Sequence, residues 1–87
     1  MNKRNEDEDI RYRTSLLELE PGMVAKVSGF RGGNGFKRRL GARGILVGKE
    51  IRMITRQPAG PVVVGIGPST ITLGRGMARK IFVEVEE

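Results

Sequence analysis

The residues with the most chemical potential fall in one run, Arg31-Gly32-Gly33-Asn34-Gly35-Phe36-Lys37-Arg38-Arg39, with Arg43 four positions on. Glycines beside cations are what a phosphate-cradling loop uses, so a nucleotide site is the first chemistry to weigh. The order G-x-x-x-x-G-K-[ST] is missing, and no apolar strand of the parallel type precedes the run. The dinucleotide order G-x-G-x-x-G and its βαβ unit are missing too. The run therefore reads as a mobile loop leading into a basic segment. The chain has no His and no Cys, so it can form neither a Ser–His nor a Cys–His pair. It also lacks the imidazole and thiolate ligands that soft and borderline metals need. Hard cations need converging carboxylates. Between residues 21 and 83 the only acid is Glu50. The run Glu6-Asp7-Glu8-Asp9 reads as a solvated charged end. The expectation is a non-enzymatic protein with no catalytic residue, no cofactor and no strong metal site of its own.

What remains is charge. Residues 21–83 hold 12 basic residues against that one acid, a net of +11. Residues 1–20 contribute −2 and residues 84–87 contribute −3, which leaves +6 for the chain. A body this basic is expected to work by docking onto something acidic. Arg31, Lys37, Arg38, Arg39 and Arg43 are the candidate partner-binding residues, since interfaces favour exposed Arg. The bland alternative is a solvated basic face. A third reading uses the same charge for nucleic acid. Binders of that kind usually add stacking aromatics. Here there are only Tyr12, Phe30, Phe36 and Phe82, and at least one must serve the core. Nucleic acid therefore ranks below a protein partner.

Eighty-seven residues make one domain with a thin core. Residues 1–13 are mostly charged and are expected to form a disordered tail; the folded domain is expected over 14–87. No apolar h-region of a secretory leader stands near Met1, and the longest apolar stretch, 61–66, is far too short to span a bilayer. The expected setting is cytoplasmic, without membrane insertion. Ser15 and Glu18 have the spacing of a capping box. Alternation predicts strands over 23–30, 50–56, 61–66, 70–74 and 81–85. Within 23–30 the inward face is ambiguous. A short helix is expected over 36–43, anchored by Leu40 and stopped by Gly44, and about one helical turn over 75–80. The expected core is Leu16, Leu19, Val24, Val27, Leu40, Ile45, Ile51, Val62, Val64, Ile71, Leu73, Ala78, Ile81 and Val83. Ile54, Leu46, Met53 and Met77 are left open. The fold class is mainly β: a small, bent antiparallel barrel of about five strands with one or two short helices.

The landmarks L-x-x-L-E-P-G (16–22), K-V-S-G-F (26–30), R-R-L-x-x-x-G-I-x-x-G-x-x-I (38–51), R-Q-P-x-G-P-V-V-V (56–64) and I-T-L-G-x-x-x-A-x-x-I-x-V (71–83) occur in an order that resembles the FeoA family. The resemblance implies an SH3-like barrel. It also implies an accessory role in ferrous iron uptake, with the cytosolic, GTP-hydrolysing region of a FeoB transporter as partner. The same module ends the iron-dependent repressors of the DtxR type, so a regulatory relative of that module is the alternative. The family is sometimes linked to transition-metal binding, which these side chains do not support. This chain carries Arg43 where the family usually has an apolar residue, and Val47 where Pro is frequent.

Overall fold

The computed structural model describes residues 11–86. Six strands form one antiparallel sheet: β1 (Arg11–Ser15), β2 (Val24–Phe30), β3 (Glu50–Thr55), β4 (Val62–Ile66), β5 (Ser69–Leu73) and β6 (Ile81–Glu86). Their spatial order is β1-β6-β2-β3-β4-β5, so β1 and β5 stand at the two edges. A 3-10 turn (Leu16–Glu18) follows β1; helix α1 (Asn34–Ala42) joins β2 to β3, and helix α2 (Arg75–Arg79) joins β5 to β6. This is the SH3-like β fold that the sequence led us to expect.

Alternation sets the inward face. Ala25 and Val27 of β2, Ile51 and Met53 of β3, Val62 and Val64 of β4, Ile71 and Leu73 of β5, and Ile81, Val83 and Val85 of β6 are all buried in one core cluster. Register shifts at Val27/Gly29 and Met53/Thr55 interrupt the ladders, and such bulges bend and twist a sheet. Leu16 and Leu17 of the turn, Leu19 just after it, Leu40 of α1, Ile45, Ile66 of β4, and Ala78 of α2 complete the core. Leu40 is the only buried residue of α1. The helix ends with Arg43 at its C-cap, and Gly44 follows at φ +92°, a conformation that glycine adopts without the Cβ clash.

Several expectations are corrected. The sheet already includes Arg11, because Arg11–Ser15 pair with β6 from Arg11↔Glu86 to Ser15↔Phe82; the expected tail is thereby shortened by residues 11–13. Residues 1–10 lie outside the described residues, and the rest of that expectation with them. With β1 the described residues hold six strands, in keeping with an expectation of about five. The capping box is absent: Ser15 makes no side-chain cap hydrogen bond. Ser15 is the last residue of β1, and the turn after it closes within three residues through the Leu19 N–H donating to the Leu16 carbonyl at 3.1 Å. Val24 is not in the core but 40% exposed. It faces outward with Arg52, its register partner, and a period of two forbids burying Val24 together with Ala25. Met53 is fully buried, whereas Leu46 is 49% exposed. Helix α1 begins at Asn34, two residues before the expected start.

Candidate functional site

All five candidate cations are exposed, but the local structure gives them different positions. Arg31 follows β2, where its backbone N–H donates to the Lys80 carbonyl at 2.8 Å. That bond brings the end of α2 beside the loop that precedes α1. Phe36 and Leu40, four residues apart, form the inner stripe of α1. Arg43, three further on, continues the stripe past the helix end. Its Nη2 reaches across to the Thr72 carbonyl of β5 and donates to it at 3.3 Å. Lys37 and Arg38 make no side-chain hydrogen bond or ion pair among the described residues and stand on the solvent side of α1. Arg39, three residues after Phe36, lies back over that ring, its Cζ 5.9 Å from the centroid. Lys80 Nζ is 5.7 Å from the same centroid.

The structure therefore adds Lys80 to the cluster. Sequence reading passed over it because it is 37 residues beyond Arg43; the Phe30↔Ile81 pairing of β2 with β6 and the Arg31–Lys80 backbone bond bring it near. Phe36 is an apolar post that both Arg39 and Lys80 approach. Each such contact contributes about 0.5–1 kcal/mol at an exposed site. A second ring, Phe82, carries Arg13, whose Cζ is 5.3 Å from the centroid. Phe36 and Phe82 thus already carry cations, which leaves them poorly placed as stacking platforms for bases.

Two other body cations serve the fold. Arg56 is half-buried; its Nε donates to the Leu17 carbonyl at 2.6 Å, and its Nη1 lies 3.9 Å from Glu20 Oε2. Arg75 Nη1 donates to the Gln57 carbonyl at 2.8 Å. Among the described residues no three His, Cys, Asp or Glu side chains converge, and no helix is long and apolar enough to cross a membrane.

Fold and surface together define a small SH3-like β domain that carries a cationic helix on its surface. A family model for the FeoA domain matches residues 14–85. The chain belongs to the FeoA domain family. The "Putative Fe(2+) transport protein A" of Methanocaldococcus jannaschii is 42% identical over 55 residues, 63% of this chain and 66% of that protein, so the match spans just under two thirds of the relative's length. The crystal structure of an iron uptake regulatory protein, FeoA, superposes with a TM-score of 0.80 at 25% identity, covering 87% of this chain and all of that one. A manganese-dependent transcriptional repressor matches with a TM-score of 0.77 at 24% identity, over 90% of this chain and 44% of that one. The last likeness is one of fold.

Proposed function

We propose that this chain is a non-enzymatic accessory protein of ferrous iron uptake. It binds the cytosolic GTPase region of a FeoB-type transporter and modulates it. The reading is supported chiefly by the FeoA domain match over residues 14–85. The transport protein A name of the Methanocaldococcus jannaschii relative is consistent with it. The cations of α1 supply the means of contact. Arg31, Lys37, Arg38, Arg39 and Arg43 meet an acidic surface of the transporter on the cytoplasmic side. Exposed charges of this kind steer encounter and fix orientation more than they add raw affinity. Lys37 and Arg38, which have no side-chain hydrogen bond or ion pair among the described residues, pair with the partner directly. Arg39 and Arg43 exchange weak intramolecular contacts for intermolecular ones.

The test is co-purification with the cytosolic domain of a FeoB-type transporter, followed by GTP hydrolysis with and without this protein. The reading expects a complex and a changed hydrolysis rate. Absence of a complex near physiological salt overturns it.

A further inference from the structure

The edge of β5, which has no further strand beside it among the described residues, carries an inference that the docking proposal does not contain. Ile66 and Ser69 close the β4–β5 hairpin around Gly67-Pro68. Gly67 has φ +56°, and no residue other than glycine has positive φ among the described residues, which fits a II′ turn. In a two-residue hairpin the closing pair is hydrogen-bonded, and the pairs alternate from there. Ile66↔Ser69, Val64↔Ile71 and Val62↔Leu73 therefore exchange bonds across the ladder. Thr70 and Thr72 turn their N–H and C=O groups away from β4, toward the edge. The Arg43 bond to the Thr72 carbonyl agrees with that orientation.

Proteins usually blunt an open edge with charge, proline or a bulge. Ser69-Thr70-Ile71-Thr72-Leu73 contains no charged residue and no Pro, and its register with β4 is unbroken. The other edge strand, β1, carries Arg11 and Arg13. On β5 one flexible side chain, Arg43, occupies one carbonyl by a long, exposed bond of 3.3 Å. The Thr70 and Thr72 groups are spaced two residues apart, which is the repeat an added strand offers.

We infer that β5 accepts an extended, acidic segment of a partner protein as a seventh strand, with Arg43 released from Thr72 to pair with one of its carboxylates. The choice of an acidic occupant rests on the docking reading; the strand addition does not. A second copy is disfavoured on charge, because pairing β5 with β5 would bring two Arg43 guanidiniums and two strongly basic bodies together.

Amide hydrogen exchange followed by NMR on the full chain tests this. The probe is a synthetic peptide of about ten residues alternating glutamate and valine, with a lysine–valine peptide as control. The expected result is roughly tenfold slower exchange at the Thr70 and Thr72 amides with the acidic peptide and no change with the basic one. Thr72→Pro removes an outward N–H and is expected to weaken peptide binding roughly tenfold while the β4 resonances hold their positions. Unchanged exchange at Thr70 and Thr72 in the wild-type chain overturns strand addition, whatever the variant does. If only the resonances of residues 37–39 move, docking on α1 stands and the edge proposal falls. Equal protection by the lysine peptide, or protection that grows with protein concentration alone, overturns the acidic occupant.

Discussion

Gly41 is the residue at which local propensity and packing can be weighed most directly. It lies inside α1, where glycine costs about 1 kcal/mol against alanine. A methyl group there would stand 3.2 Å from Leu46 Cδ2. Leu46 is about half exposed, so its side chain can move by the few tenths of an ångström required. Gly41→Ala is therefore expected to stabilise the domain by about 0.5–1 kcal/mol, read from the urea midpoint at unchanged m-value. Leu40 gives the opposite case. It is 1% exposed and the only buried residue of the helix. Leu40→Ala should cost about 2–5 kcal/mol and unfold much of a domain this small at 37 °C. Val24→Thr, by contrast, should shift stability by less than about 0.5 kcal/mol, since the side chain faces water.

Among the elements, the strands were the most legible, and the reason is specific. β3 and β5 bury alternate residues, β4 buries Val62 and then Val64 through Ile66, and breakers bound the strands at Gln57-Pro58 and Gly67-Pro68. β1 carried no such signal. Arg11-Tyr12-Arg13-Thr14-Ser15 has one aromatic residue and two cations; it is a strand because β6 supplies the ladder, a tertiary cause that local pattern does not encode. The start of α1 was misplaced because Asn34 and Gly35 read as loop, yet the Lys37 N–H donating to the Gly33 carbonyl at 3.1 Å closes the first turn through them. The candidate cations were legible as residues. Their division was not, since a bond from Arg43 to a carbonyl 29 residues away leaves no trace in spacing. Gly44 belongs to this scale as well: at φ +92° it lets the chain leave α1, so Gly44→Ala should lower stability by about 1–2 kcal/mol with little change in the β-sheet circular dichroism.

For the whole molecule, the governing quantity is the +11 carried by residues 21–83. Contacts made by exposed cations are screened once the Debye length, about 10 Å at 0.1 M salt, falls below their separation from the partner. Partner affinity should therefore drop steadily with ionic strength, and the association rate should drop more than the dissociation rate rises. The core, being apolar throughout, should be indifferent to the same salt. Titrating the cytosolic domain of a FeoB-type transporter with the wild-type chain and with a variant bearing Arg31, Lys37, Arg38, Arg39 and Arg43 all changed to Glu tests the central claim most directly. With the thermal midpoint of the variant checked first, binding is predicted for the wild type and its loss for the variant; equal affinity of the two folded proteins would contradict the account.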